Sequence, residues 1–236
     1  MSIASRSQSC AIAIMAKAPR QGAVKTRLIP PLTAAEAADL SIAFIRDTAE
    51  NLLAAAESAA IDGFVAYSPP GSEAAFAGIL PERVELLPPR RIGLGASLSD
   101  AALDLLAAGY GAACLVDADS PTLPTAHLVE AARALAMPDD RVVLGGAEDG
   151  GYYLIGLKRP HRRLFEDIAW STESVFRQTL DRAAEIGLDV HLLPVWYDVD
   201  DIASLRRLRS DLAAPDRTGY SAPHTAALLR QFAHRL

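Results

Sequence analysis

Apolar residues in this chain fall into short unbroken runs, separated by longer stretches in which they recur every three or four positions. The runs Cys10 to Ala16, Ile61 to Tyr67, Val84 to Leu87, Ala112 to Val116, Arg141 to Leu144, Tyr152 to Leu157 and Asp189 to Leu193 read as buried strands. Between the first two, Ile42, Ile45, Ala49, Leu52 and Leu53 line one face of a helix. That helix opens at Thr33-Ala34-Ala35-Glu36, a capping box in which Thr33 and Glu36 each satisfy a free backbone N–H. A short helix is expected around Glu73 to Ala77, and Leu98, Ala102, Leu105 and Leu106 mark a longer one that stops at Gly109. Pro124 suits the first turn of a helix running toward Met137. Thr172 to Ile186 and Asp201 to Leu212 are also helical, and Ala213 to Ser221 reads as a surface connection to a last helix.

Strand and helix alternate almost from end to end. The pattern predicts an α/β fold of three αβα layers around a mostly parallel mixed sheet. The strands Arg141 to Leu144 and Tyr152 to Leu157 are expected to join across Gly145 to Gly151. No linker divides the 236 residues and no repeat is visible, so one domain is expected. Sheets of this kind bind ligands at the carboxyl ends of their strands, so the residues just after each strand matter most.

Half of the residues are hydrophobic and 22% are charged, as in an ordinary globular protein. The net charge of -6 argues against a nucleic-acid or anionic-membrane surface. An anionic ligand must then be met by a local basic cluster. No apolar stretch reaches the roughly 20 residues of a membrane span. Arg6, the run Cys10 to Ala16 and Ala16-Lys17-Ala18 loosely imitate a secretory signal. Cleavage there would remove the first strand, and a cytoplasmic location is expected. Cys10 and Cys114 lie in strand-like runs and read as reduced, buried thiols. The histidines sit singly, without metal-ligand or triad spacing.

Four segments carry chemistry. After the first strand, Lys17-Ala18-Pro19-Arg20-Gln21-Gly22-Ala23-Val24-Lys25-Thr26-Arg27 crowds four basic side chains around a glycine. Gly22 allows a sharp turn that presents N–H groups, and Lys25 and Arg27 can neutralise phosphate oxygens. The spacings of a P-loop and of a dinucleotide fingerprint are both absent. After the fourth strand, Asp117-Ala118-Asp119-Ser120-Pro121 offers two carboxylates one residue apart, suited either to a hard cation or to capping a turn. After the last strand, Asp198-Val199-Asp200-Asp201 supplies three acids in four positions, of which one can cap the following helix. Between these, Gly145-Gly146-Ala147-Glu148-Asp149-Gly150-Gly151-Tyr152-Tyr153 reads as a tight backbone lining a pocket, or as a hairpin turn with its acids facing water.

Together these segments resemble the nucleotide-diphospho-sugar transferase superfamily with the glycosyltransferase-A fold. In particular the chain is similar to a bacterial glycosyltransferase family that includes arsenosugar-biosynthesis members. The residues that carry the likeness are Ala16 to Pro19 with Val24 to Leu28, Asp119-Ser120-Pro121 with Leu123, Asp149 to Leu157, Trp170-Ser171-Thr172, and Asp198-Val199-Asp200 with Leu205. The first loop and the two acidic segments are also similar to 2-phospholactate and molybdenum-cofactor guanylyltransferases. The resemblance implies a nucleotide site formed by Lys17, Gly22, Lys25, Arg27 and Gly95. It implies Mg²⁺ or Mn²⁺ on Asp119 and Asp200, with Asp117 and Asp198 as further candidates. Asp149, Gly150 and Tyr152 would face the sugar or acceptor, Asp149 as the catalytic carboxylate. Two departures stand out. Asp117-Ala118-Asp119 replaces the family's Gly-Thr-Asp, and Arg90-Arg91-Ile92-Gly93-Leu94-Gly95 replaces a Gly-Asp-Leu-Gly segment preceded by glutamine. The implied activity is transfer of a sugar from a nucleotide-diphospho-sugar to a small-molecule acceptor. The alternatives are nucleotidyl transfer from a nucleoside triphosphate with release of pyrophosphate, and a nucleotide-binding regulator without turnover.

Overall fold

The computed structural model describes residues 6–214 and 218–232, so residues 215–217 of the expected surface connection lie outside the described residues. Seven strands form one sheet: β1 Cys10–Lys17, β2 Ile61–Ser68, β3 Val84–Leu87, β4 Ala112–Asp117, β5 Arg141–Ala147, β6 Tyr152–Leu157 and β7 Asp189–Trp196. Their order is β3-β2-β1-β4-β6-β5-β7. Neighbours run parallel except at β6, which is antiparallel to both β4 and β5. The carboxyl ends of β1, β2, β4, β5 and β7 therefore meet the start of β6 along one edge of the sheet.

Six α-helices are described: α1 Ala34–Ala56, α2 Leu94–Ala107, α3 Thr125–Ala136, α4 Val175–Glu185, α5 Ile202–Ala213 and α6 Pro223–Gln231. The continuous apolar run of β1 explains their placement. Successive side chains of a strand point to opposite faces, so Cys10, Ile12 and Ile14 pack with Ile45 and Leu52 of α1 and with Leu128 and Leu135 of α3. Ala11 and Ala13 face the other layer, against Leu98, Ala102 and Leu105 of α2 and Ala183 of α4. Each large apolar side chain fully buried this way contributes roughly 1.5–3 kcal/mol. Cys10 and Cys114 are free and buried as expected, with their sulfurs 3.6 Å apart.

A third, smaller core lies beyond the sheet's carboxyl edge. It joins Leu28 and Leu32 of the basic loop, Leu40 and Phe44 of α1, Tyr197 and Val199 of the last acidic segment, Leu205 and Leu208 of α5, and Leu229 of α6. This cluster fastens together parts of the chain that are far apart in sequence.

The predicted capping box of α1 is formed: the Thr33 Oγ1 accepts from Glu36 N at 3.2 Å, and Thr33 N donates to Glu36 Oε2 at 2.8 Å. Several boundaries differ from expectation, and three stand out. Strand β5 runs past Leu144 to Ala147, so Gly145 and Gly146 pair with β6 instead of belonging to the turn. Strand β7 continues three residues past Leu193, through Pro194 to Trp196. It is an edge strand, where a proline's missing N–H costs little, and the Pro194 carbonyl accepts from the Tyr153 hydroxyl at 2.8 Å. Helix α4 starts at Val175 rather than Thr172, because Ser171 is left-handed at φ 64 and the Thr172 hydroxyl donates back to the Ala169 carbonyl at 2.7 Å.

Candidate functional site

The basic loop leaves β1 at Lys17, which is exposed, and turns at Gly22 with φ +73. Lys25 is also left-handed, at φ 49 and ψ 37. For a residue with a Cβ this costs about 1–2 kcal/mol, so the surroundings must hold it. Val24 and Leu28 on either side are buried, Leu28 completely, and pin the loop into the core. Arg27 stays exposed in the 3-10 turn Thr26–Leu28, and its charge adds to the Ser204 hydrogen bonds that hold the Asp201 carboxyl below its ordinary pKa.

The two acidic segments owe their geometry to period-two alternation. Val116, Ala118 and Ser120 are buried, which turns Asp117 and Asp119 to the opposite side. Tyr197 and Val199 likewise enter the third core and leave Asp198 and Asp200 outside it. Val199 N donates to the Asp119 carbonyl at 2.9 Å, and the Ser120 hydroxyl lies 3.0 Å from Asp117 Oδ2 and 3.1 Å from the Tyr197 carbonyl. The segments are thus laced side by side. Asp201 is the helix cap: its Oδ1 accepts from Ser204 N at 2.8 Å. That leaves Asp198 and Asp200 for the site.

Lys25 joins these pieces. Its ammonium lies 2.6 Å from Asp119, 3.2 Å from Asp200 and 2.6 Å from the Val199 carbonyl oxygen, and 5.2 Å above the Phe44 ring. Its side chain is only 5% exposed, whereas those of Asp119 and Asp200 are 43% and 48% exposed. Burial works to discharge Lys25, but the carboxylates of Asp119 and Asp200 outweigh it and hold the ammonium above the ordinary lysine value. The lysine predicted to touch phosphate is therefore sealed behind two carboxylates whose outer sides face solvent.

The acids around it repel one another. Burial first, then the charges of Asp119 and Asp198, push Asp117 well above the usual carboxylate range, and its Oδ1 is buried with no protein partner. Burial, then Asp149 and Asp200, push Asp198 up to about 6. Asp149 joins the group from the β5–β6 turn, where its Oδ1 accepts from Gly151 N at 2.8 Å. The backbone of that turn is tight. Gly150 has φ +89, and a Cβ there would meet the Glu173 carbonyl oxygen at 2.1 Å. Glu148, next to Asp149, points elsewhere and is gripped through both oxygens by Arg207 of α5 at 2.6 and 3.0 Å.

The remaining expected contacts are placed differently. Gly95 sits in the first turn of α2, and a Cβ there would meet the indole of Trp170 at 2.2 Å. Its need for glycine is thus met by packing. Tyr152 stands edge-on to the same Trp170, and its hydroxyl is buried without a protein partner. Arg90 and Arg91 are paired with Asp104 and Asp100 of α2, each at 2.6 Å. One cluster escaped the sequence altogether. Asp47 and Glu50 of α1 meet His224 of α6, their ligand-type atoms all within 4.8 Å of one another. Both oxygens of Asp47 are used: they accept from His224 N at 3.0 Å and Thr225 N at 2.8 Å, capping α6 from another helix. His224 Nε2 pairs with Glu50 at 2.8 Å.

Five acidic side chains gather around one buried ammonium, and the crowding already holds protons on some of them. Their donors are all oxygens, the ligand set of Mg²⁺ or Mn²⁺, and the unpartnered Asp117 Oδ1 adds an acceptor that nothing in the protein satisfies. A hard divalent cation fits these residues. Among the described residues no helix is long and apolar enough to cross a membrane.

The sequence has no match among curated proteins. Among solved structures it is similar to a protein of Desulfovibrio desulfuricans G20, provisionally assigned as a nucleotide-diphospho-sugar transferase. The two share 27% identity over 95% of each chain, with a TM-score of 0.81. More distant likenesses, to a cytidylyltransferase of Leptospira borgpetersenii and to a CMP:2-keto-3-deoxy-manno-octonic acid synthetase complexed with CTP, concern the fold alone. The first has 10% identity, 97% of each chain and a TM-score of 0.55; the second has 12% identity, 87% of this chain and 98% of that one, and a TM-score of 0.54. Residues 51–172 match the model of a family described as uncharacterized protein conserved in bacteria (DUF2064). With the three-layer fold and the resemblance of its loops, this places the chain in that family, within the nucleotide-diphospho-sugar transferase superfamily.

Proposed function

We propose that the chain transfers a sugar from a nucleotide-diphospho-sugar to a small acceptor, with a divalent cation held by Asp119 and Asp200 and assisted by Asp117 and Asp198. The carrying observation is that a basic loop and two acidic segments, remote in sequence, converge on one point of the sheet's carboxyl edge. Bound there, the cation supplies neutralisation of the charge on the departing diphosphate. The protein's own groups do the rest. Lys17, Arg27 and the backbone at Gly22 meet the phosphates, and Gly95 shapes the nucleotide pocket by letting Trp170 approach. Asp149, on the turn that Gly150 keeps tight and within the field of Asp198, is assigned the acceptor's proton, with Tyr152 of the same segment facing the sugar or acceptor.

The alternative is nucleotidyl transfer to a sugar phosphate or phospho-acid. Its support is that nucleotidyl transfer needs the same basic loop and the same metal carboxylates. Product analysis separates the two. With Mn²⁺ and nucleotide sugars, the first reading expects slow release of nucleoside diphosphate even with water as acceptor. Asp149→Asn should lower this turnover about tenfold or more, in the range of general-base effects, while nucleoside-diphosphate affinity stays within a few fold. Pyrophosphate formed from triphosphates and sugar phosphates, with no diphosphate released from nucleotide sugars, would replace it with the second reading.

A further inference from the structure

Lys25 does not lie as a phosphate-binding lysine should. All three of its ammonium protons have protein acceptors, at Asp119, Asp200 and the Val199 carbonyl. Its side chain is sealed from solvent, and its backbone is held left-handed to keep it there. The oxygens it holds belong to the two carboxylates assigned to the divalent cation. A divalent ion drawn onto the same Oδ1 atoms would lie within a few ångströms of the ammonium and repel it strongly.

We propose that the Lys25 ammonium is a resident cation that holds Asp119 and Asp200 together when no divalent ion is bound, and that a divalent ion displaces it from them. Freed from its carboxylates, the lysine then turns toward the nucleotide's phosphates, so one side chain serves two anionic partners in turn. Metal and nucleotide thereby become coupled. Metal binding releases the phosphate-binding charge, and a phosphate that captures Lys25 clears the carboxylates for metal. Each ligand raises the affinity of the other. The left-handed backbone at residue 25 fits this role, since strain of this kind is stored where a switching residue must be held in one of two positions. The inference rests on the proposed cation site, and the test separates the two.

Mn²⁺ affinity is read from the free-ion electron paramagnetic resonance signal, without nucleotide. Lys25→Met keeps the apolar stem over Phe44 but removes the competing charge. The variant should bind Mn²⁺ about tenfold or more tightly than the natural chain, since one charge-assisted contact is worth at least that factor. The same variant should bind a nucleoside diphosphate more weakly while binding the matching nucleoside unchanged. The chain has three lysines, Lys17, Lys25 and Lys158, so amine labelling followed by mass spectrometry resolves each one. Lys25 should resist labelling in EDTA and become reactive with Mg²⁺, with Lys17 as the exposed control. Mn²⁺ affinity that is unchanged or weaker in Lys25→Met, or Lys25 equally protected with and without Mg²⁺, overturns the exchange. Asp119→Ala reports on the site itself. If its Mn²⁺ affinity equals that of the natural chain, the cation-site reading fails. If it loses Mn²⁺ while Lys25→Met gains nothing, the site stands and only the exchange fails.

Discussion

Asp198 carries a cost, in metal-free solution, that a neutral residue would remove. Burial and the charges of Asp149, Asp200 and Asp119 raise it from the ordinary 3.8 to about 6. Between those two values the folded chain holds a proton that the unfolded chain has lost, so stability falls as pH rises through this window. Above about pH 6 the full penalty is present, and below the ordinary value it is gone. At about 1.4 kcal/mol for each unit the shift amounts to roughly 3 kcal/mol at face value. Asp198 is partly open to water, and screening reduces this to about 1–2 kcal/mol. Asp198→Asn should therefore stabilise the chain in EDTA at pH 8, raising Tm by about 3–6 °C for a protein of this size. The gain should shrink steadily toward pH 4.5. Added Mn²⁺ should reverse the order, because the natural carboxylate gains a cation that asparagine does not attract. Differential scanning fluorimetry across pH, with and without metal, measures all of this. A variant less stable than the natural chain at pH 8 in EDTA, or a gain that grows toward acid, would show that Asp198 is not burdened by its acidic neighbours.

Two further outcomes concern packing that supports the site. Gly95→Ala would drive a methyl into the Trp170 indole, with contacts as close as 2.2 Å; we expect a loss of about 1–3 kcal/mol in urea unfolding, and an unaltered midpoint would mean that Trp170 moves freely. Asp47→Ala leaves two N–H groups of α6 without their carboxylate, for an expected loss of about 2–4 kcal/mol, while Asp47→Asn, which keeps one acceptor, should lose less; equal losses would show that the cap is not what Asp47 provides.

What could be read from the sequence was local in character. The strands were legible because β1 and β4 are buried on both faces and so form unbroken apolar runs. The α1 capping box was legible because its two partners are three residues apart. In the last acidic segment, the alternation of Tyr197 and Val199 with Asp198 and Asp200 was present in the sequence. Knowing that Asp201 was the cap required seeing where α5 begins. The resemblance puts Gly95 among the nucleotide contacts, but its neighbour Trp170 comes 75 positions later and no spacing announces it. The Asp47–His224 cap lay beyond reach for the same reason, with 177 positions between its partners. Lys25 was singled out for its charge, and its burial followed only from the third core, which draws the loop under Asp119 and Asp200.

That third core has a consequence for the order in which the molecule can come into being. Lys25 and Asp200 are separated by 175 positions, and Asp47 and Thr225 by 178. A chain emerging from the ribosome shows its basic loop long before the acids that will enclose it exist. Most of the sheet can already pair while β7, α5 and α6 are still being made. Closing loops of this span comes late and slowly, since the entropy of bringing distant segments together is lost before their contacts form. Completion of the cluster around Lys25 thus waits for residues made some 175 positions after it. On the proposed reading, a nucleotide with its cation, gripping the early loop and the late acids together, would act as a clasp across that span.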